Sequence, residues 1–205
     1  MSPRGVLVLA GGVFIVLAAL VLLVGILPGD QWMREALLAA APAPVLFVMR
    51  WANQAGSWRV LAPATVALVV FFPAIRRRWW VWVPALILAS LLETAMKEVI
   101  GRPRPEGPTF GFPSGHATAA AAYFGALIYA AGELRLVARR AVRIGAAGMI
   151  VLVALARILL RAHWPSDALG GVALGLACAS AAALISASTL RSPAESRSPA
   201  TPSRD

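Results

Sequence analysis

The chain has 205 residues, of which 60% are hydrophobic and 14% are charged, and its formal net charge is +10. A mean hydropathy of +0.76 is more than one soluble domain of this size could bury in a single core, so the composition predicts a membrane protein. The arginines stand in short clusters between apolar runs, which argues against a nucleic-acid-binding face, and the single cysteine, Cys178, excludes a disulfide framework or a cysteine-based metal cluster.

Six apolar segments are close to the length of about 20 residues that a membrane-spanning helix needs. The sequence predicts spans at 6–27, 59–75, 79–100, 115–131, 142–161 and 165–188. The second is short and contains Pro63 and Pro73, so its boundaries are the least defined. Between the first two spans, segment 31–54 is broken by Pro42 and Pro44, which is typical of interfacial helices lying on the membrane. The predicted fold is therefore an all-α membrane protein, a six-transmembrane helix bundle.

The bundle is predicted to form one domain over residues 1–190. Its first apolar run is longer than the core of a signal peptide and is followed by no clear cleavage site, so we interpret it as a retained anchor. Residues 191–205 are rich in Ser, Pro and Arg, and we expect them to form a disordered cytoplasmic tail.

Arginine clusters predict how the bundle is oriented, because cytoplasmic segments of membrane proteins carry an excess of basic residues. One cluster is Arg76, Arg77 and Arg78, and the other is Arg135, Arg139, Arg140 and Arg143. If the loops that carry these clusters are cytoplasmic, six spans place both termini in the cytoplasm as well. The first cluster is followed by three tryptophans, which are typical of an aromatic belt at the membrane interface: Trp79, Trp80 and Trp82. Loops at the opposite helix ends are then extracytoplasmic.

Three segments at those opposite helix ends are too polar for their surroundings: 97–105 (KEVIGRPRP), 113–116 (PSGH) and 157–167 (RILLRAHWPSD). Ionisable groups at a membrane boundary need partners, and a bound dianion would neutralise the cations. Lys97, Arg104 and Arg157 come from three different helix ends, which suits a phosphate whose oxygens are held from several directions. For each cation taken singly, snorkelling to the interface is the alternative interpretation.

Both histidines stand beside predicted helix starts. Ser114 is a suitable N-cap for the fourth span, Gly115 allows close approach to the backbone, and free amides there favour an anion beside His116. His163 precedes Asp167 by four residues, so the carboxylate could hold one ring nitrogen and leave the other as a nucleophile. An ordinary capped helix start and a capping Asp beside an interfacial His are the alternatives.

These three motifs, in this order and spacing, resemble the type 2 phosphatidic-acid phosphatase superfamily, which also includes bacterial undecaprenyl-pyrophosphate phosphatases, glucose-6-phosphatase and the vanadium haloperoxidases. The resemblance implies that His163 attacks phosphorus, Asp167 orients it and His116 protonates the leaving oxygen. The phosphate-binding residues that it implies are Lys97, Arg104, Ser114, Gly115 and Arg157. The sequence departs from the family pattern at Ala156, where the family usually has a serine. This difference affects the expected catalytic efficiency more than the expected reaction class.

The expected function is hydrolysis of a lipid phosphate or pyrophosphate at the extracytoplasmic membrane boundary, through a phospho-histidine and without a metal or other cofactor. Undecaprenyl pyrophosphate and phosphatidic-acid-type lipids are the leading substrates. The expected partners are this phosphorylated lipid and the surrounding membrane lipids, with no nucleic acid, and the sequence leaves the oligomeric state open. A phosphotransferase using the same site, a vanadate-dependent haloperoxidase and a non-enzymatic membrane transporter are the alternatives.

Other charged residues near the motifs have two interpretations each. Glu93 stands one turn before Lys97 and is either its ion-pair partner or a proton-relay group. Arg102 and Arg161 are candidates for contact with a second phosphate or with lipid headgroups. In the last span, Gly170, Gly171 and Gly175 predict close helix packing.

Overall fold

The computed structural model describes residues 2–188, most of which are helical. The helices are α1 (Pro3–Val24), α2 (Pro28–Ala39), α3 (Ala43–Gln54), α4 (Trp58–Phe71), α5 (Pro73–Arg76), α6 (Trp79–Ile100), α7 (Gly115–Ala130), α8 (Leu136–Leu159) and α9 (Pro165–Ser188). A short 3-10 turn, Ala131–Glu133, follows α7. The predicted tail at 191–205 and the last two residues of the predicted domain lie outside the described residues.

Proline and glycine set several of the helix ends. Helices α1, α2, α5 and α9 each begin at a proline, whose fixed φ suits the first helical position. Helix α6 is capped by Gly101, which adopts the left-handed conformation at φ 62° and donates its amide to the carbonyl of Lys97. This cap directs the chain out of the helix and into the loop 102–114.

The prediction of an all-α membrane protein is confirmed. Within the described part of the chain, α1, α6, α8 and α9 are each long and apolar enough to cross a membrane, and α2 with α3, which meet at 118°, add a fifth span if the bent pair is counted as one. The predicted count of six is not reproduced, since α4 has only 14 residues and α7 has 16. The predicted second span is divided at Phe72, because a residue before a proline is disfavoured in the helical conformation.

Helices α7 and α9 form the centre of the bundle, with α1 and α6 against α9 and with α8 against α7. Their backbones approach closely at the predicted glycines. A Cβ built on Gly175 would lie 2.3 Å from the carbonyl oxygen of Thr118, and one on Gly171 would lie 2.5 Å from that of Ser114. The close packing predicted for this part of the sequence is therefore confirmed, and it brings the starts of α7 and α9 together.

Candidate active site

The three polar segments meet at one end of the bundle, as the sequence predicts. The amide of Ser114 donates to the carbonyl of Asp167 at 2.9 Å, which joins the second motif to the third. The indole Nε1 of Trp164 donates to the carbonyl of Pro103 at 3.2 Å, which joins the third motif to the first. These two hydrogen bonds thus connect all three motifs.

His163 lies in the turn between α8 and α9, where the structure brings it against Asp167. Its Nδ1 is 3.3 Å from Oδ2 of the carboxylate, and the same oxygen accepts the amide of Trp164 at 3.0 Å. Both side chains are buried. Gly111 leaves room for this oxygen, since a Cβ there would lie 2.7 Å from it. The carboxylate favours the tautomer with the proton on Nδ1, so Nε2 carries the lone pair.

The environment keeps His163 neutral. Burial lowers its pKa from the ordinary value of 6.5 to about 4, the hydrogen bond and charge of Asp167 oppose this shift, and Arg157 and Arg104 add to it. At pH 7 the imidazole is therefore uncharged, which is the state that can act as a nucleophile.

His116 occupies the first turn of α7, near the other predicted site residues. Four groups interact with it electrostatically: Arg157, His163, Lys97 and Arg104. Gly56, between α3 and α4, packs directly against it, because a Cβ there would lie 2.7 Å from the carbonyl oxygen and 2.9 Å from the Cβ of His116. Sequence reasoning missed Gly56, since a single glycine between two helices resembles any other turn residue.

Lys97 forms an ion pair with Glu93 one turn earlier in α6, the simpler of the two roles predicted for that carboxylate. The buried carboxylate also lies beside the start of α7. A Cβ built on Gly115 would come within 2.8 Å of Oε1 of Glu93. The close approach that the glycine was predicted to allow is therefore made, in this structure, by a carboxylate of the protein itself.

Arg157 and Ser114 hold unpaired donors at the site. Arg157 is buried, its Nη1 donates to Oδ1 of Asn53 at 2.6 Å, and its Nε has no partner among the described residues. Ser114 stands at the N-cap position as predicted, but its hydroxyl makes no capping hydrogen bond. Arg104 is half-buried and donates Nε to the carbonyl of Phe110 at 3.0 Å. These donors suit phosphate oxygens, which accept several charge-assisted hydrogen bonds.

A buried ion network behind the histidine was not predicted. Arg102 is 2% exposed, its Nη1 donates to Oδ1 of Asp167 at 2.6 Å, and its Nη2 pairs with Asp30. Asp30 also accepts the amide of Ser166 at 2.8 Å and its hydroxyl at 2.7 Å. The suggestion that Arg102 contacts substrate is wrong, because two carboxylates enclose its guanidinium. In sequence, Asp30 resembles an ordinary acid in the first turn of a helix.

Two further predicted positions lie away from this network. Arg161 is exposed and its Nη1 is 3.4 Å from Oε1 of Glu106, so its contact with headgroups stays a prediction. Ala156 is buried in an apolar cluster between α3 and α8, with Met49, Ala52 and Leu159. Within residues 2–188, no group of three or more His, Cys, Asp or Glu side chains is placed to hold a metal ion.

This chain is similar to several known proteins. The family model of the PAP2 superfamily matches residues 78–190. Phosphatidylglycerophosphatase B of Bacillus subtilis is 30% identical over 156 residues, which cover 67% of this chain and 77% of that protein. Decaprenylphosphoryl-5-phosphoribose phosphatase of Mycobacterium tuberculosis is 33% identical over 131 residues, which cover 58% of this chain and 65% of that protein.

Two crystal structures share the architecture. A PAP2-type phosphatidylglycerolphosphate phosphatase from Bacillus subtilis superposes with a TM-score of 0.79 at 25% identity, covering 94% of this chain and 99% of that one. LpxE of Aquifex aeolicus gives a TM-score of 0.63 at 19% identity, covering 80% and 98%, and this likeness shows the fold alone. The family match begins at residue 78, so helices α1 to α5 lie outside it.

Proposed function

This chain belongs to the PAP2 superfamily and is a multi-pass membrane phosphatase, and we propose that it hydrolyses a lipid phosphate or pyrophosphate through a phospho-histidine intermediate. The observation that carries the proposal is the buried contact between His163 and Asp167, 3.3 Å apart. This pair orients a neutral imidazole in an environment that also contains Arg157 and Arg104. Such an arrangement suits nucleophilic attack on a phosphorus whose oxygens are held by cations.

In the first step, the lone pair on Nε2 of His163 forms a bond to phosphorus while the bond from phosphorus to the leaving oxygen breaks. His116 donates a proton to that oxygen, so the lipid alcohol, or the lipid monophosphate from a diphosphate, departs. Asp167 keeps the proton on Nδ1 and stabilises the positive charge that develops on the ring. Negative charge on the transferring group is stabilised by Lys97, Arg104 and Arg157.

In the second step, water attacks the phosphorus of the phospho-histidine. His116, now neutral, accepts a proton from this water, and the bond between nitrogen and phosphorus breaks. The electron pair of that bond returns to Nε2 of His163, and inorganic phosphate leaves. Each histidine ends the cycle in its starting protonation state.

An apolar groove supports a lipid as the substrate. It has a volume of about 420 Å³ and lies between α4, α6 and α7, with Leu61, Ser90 and Ala119 in its walls. Ser90 and Ala119 each stand three residues from a site residue, Glu93 and His116 respectively. A lipid tail in this groove would keep its headgroup at the helix ends. The substrate class includes phosphatidic acid, phosphatidylglycerophosphate and polyprenyl phosphates or pyrophosphates.

The proposed active site faces the extracytoplasmic side, with both termini in the cytoplasm. The two basic clusters lie at the helix ends opposite the motifs, since Arg78 precedes α6 and Arg135 precedes α8, whereas Lys97 and Arg157 stand in the last turns of the same helices. An excess of arginine is typical of cytoplasmic loops. Charge distribution and helix direction together support this orientation.

The decisive experiment measures phosphate release from a panel of lipid phosphates by the purified protein in detergent. His163→Ala should lower kcat by at least roughly 1000-fold, because it removes the nucleophile, while the folded bundle remains. Wild-type enzyme quenched during turnover should carry phosphate on His163, and activity should persist in excess chelator. Phosphate on His116 and not on His163 would contradict the assigned roles. Product that depends on an added alcohol would instead reveal a phosphotransferase.

A further inference from the structure

Asp30 belongs to the first turn of α2, outside the residues that the family model matches, yet it lies in the interior beside the catalytic pair. Asp30 is only 3% exposed. Arg102, 72 residues later in the chain, pairs with it, and Ser166 donates both its amide and its hydroxyl to it. Ser166 directly precedes Asp167, so these contacts end one residue from the carboxylate that holds His163.

Arg102 connects the two carboxylates. Its Nη1 donates at 2.6 Å to Oδ1 of Asp167 and at 2.7 Å to Oγ of Ser166, and its Nη2 pairs with Asp30. The two oxygens of Asp167 therefore have different partners. Oδ1 accepts a hydrogen bond from the guanidinium, and Oδ2 contacts His163. Two carboxylates and one guanidinium give this cluster a net charge of −1 on the Nδ1 side of the imidazole.

A capping role alone does not account for Asp30. Its Oδ2 does accept the amide of Leu27 at 3.3 Å, as an acid near a helix start does. Such a cap functions at a solvent-exposed helix end, where the charge needs no partner. Here the charge is buried, and a buried carboxylate is tolerated only when it is paired and hydrogen-bonded. Arg102 and Ser166 supply those partners on the side of Asp30 that faces the active site.

We propose that Asp30 is a positioning residue of the catalytic pair, which fixes Asp167 through Arg102 and Ser166 and keeps the cluster behind His163 negative. The inference rests on the proposed phospho-histidine mechanism. As the bond from Nε2 to phosphorus forms, the imidazole ring gains positive charge. Arg102 alone would cancel the charge of Asp167, and Asp30 restores a net negative charge that stabilises the transition state.

The test compares Asp30→Asn with Arg34→Gln in the full-length protein in detergent micelles, with phosphatidic acid, phosphatidylglycerophosphate and undecaprenyl pyrophosphate as probes. Arg34 is the matched control, because it lies one turn later in α2 and joins the same loop through Glu106 at 2.6 Å, but within residues 2–188 no hydrogen bond or ion pair links it to Asp167. Asp30→Asn should lower kcat roughly tenfold and change KM less than about twofold, since its charge acts on the developing imidazolium. Arg34→Gln should change kcat less than about twofold.

A pH profile separates this role from loss of structure. Because a nearby negative charge favours the protonated imidazole, Asp30→Asn should lower the pKa of His163 further and should retain a larger fraction of its own maximal activity at pH 4.5 than wild type does. Loss of structure would have the opposite effect, because a weakened fold loses more activity in acid. Other groups facing His163 stay unchanged in this variant: Asp167, Arg157, Arg104 and His116. Asp30→Glu keeps the charge and should restore the wild-type profile.

Wild-type kcat in folded Asp30→Asn, or an unshifted acid limb, would overturn the inference. If Asp30→Asn does not fold, Arg102→Lys takes its place, because it keeps the charge balance but cannot bridge two carboxylates as the guanidinium does. Wild-type kcat in that variant would equally overturn it. Failure of the proposed function is distinguishable, since it appears in the wild type itself as absence of a phospho-enzyme or as full activity of His163→Ala.

Discussion

At the scale of single side chains, the proposed mechanism requires a neutral His163, so protonation of this residue should set the acid limit of activity. Its pKa in the folded protein is lowered to about 4 from the ordinary 6.5, so the imidazole stays neutral throughout that interval. We therefore expect the acid limb of kcat/KM near pH 4, measured in one detergent from roughly pH 3 to pH 8. An acid limb near pH 6.5 would show that the nucleophile titrates as an exposed histidine does.

The same shift predicts how stability depends on pH. Between pH 6.5 and pH 4 the unfolded chain binds a proton at His163 that the folded protein does not. The free energy of unfolding should therefore be largest above pH 6.5 and fall as the pH falls toward 4. This contribution is lost in His163→Ala, so thermal midpoints of wild type and variant should converge across that window as the pH is lowered.

Glu93 balances the charge of Lys97 in the structure, and a dianionic phosphate would compete with it for the same ammonium group. Glu93→Gln removes this competing charge and keeps the side-chain shape. Vanadate should inhibit the enzyme, since it can adopt the five-coordinate geometry of a transferring phosphoryl group. We expect KM for a lipid phosphate and the inhibition constant for vanadate to fall several-fold together. Unchanged or raised values of both constants would show that the carboxylate helps to hold Lys97 in its binding position.

Residues close in sequence could be placed correctly from the sequence, whereas distant ones could not. The contact of His163 with Asp167 follows from a four-residue spacing around a helix start, which local geometry restricts. Asp30 and Arg102 are 72 residues apart, and their contact depends on how α2 packs against the start of α9. Neither the helix propensity nor the hydropathy of the sequence predicts such a long-range contact.

At the scale of helices, the close contact of α7 and α9 predicts a sharp difference between two glycines. A Cβ on Gly175 would lie 2.3 Å from the carbonyl oxygen of Thr118, so Gly175→Ala should force the helices apart at a cost of roughly 1–3 kcal/mol. Gly148, in α8, has nothing within 4 Å of its Cβ position, and Gly148→Ala should be neutral or stabilising by up to about 1 kcal/mol.

Thermal unfolding in a single detergent measures both variants. The expected result is a lower midpoint for Gly175→Ala only. Equal midpoints for the two variants would mean that the contact between the helices adjusts at little cost.

Helix lengths show where hydropathy alone reaches its limit. The predicted spans at 79–100 and 165–188 agree with α6 and α9, because long uniform apolar runs leave no alternative. The predicted span at 59–75 is instead two helices, since Pro73 interrupts the hydrogen-bonding pattern and Phe72 becomes extended. Apolar composition continues through such a break, so a window average does not detect it.

At the scale of the whole molecule, the two basic clusters lie together at one end of the bundle. Arg77 and Glu133 form an ion pair of 2.5 Å that joins the start of α6 to the turn before α8. The motifs occupy the opposite ends of those helices. A phosphate released there would enter the extracytoplasmic space if the arginines are cytoplasmic.

Cysteine labelling tests this sidedness directly. In a Cys178→Ala background, a cysteine replacing the exposed Thr109 in the motif loop should react with a membrane-impermeant thiol reagent in intact cells. One replacing Leu136, which is 50% exposed at the start of α8, should react only after permeabilisation. Both side chains are exposed on the protein, so a difference in labelling reports the membrane barrier and not burial inside the bundle. The reverse pattern would place the site on the cytoplasmic side and would contradict the proposed orientation, since the two basic clusters would then face the extracytoplasmic space.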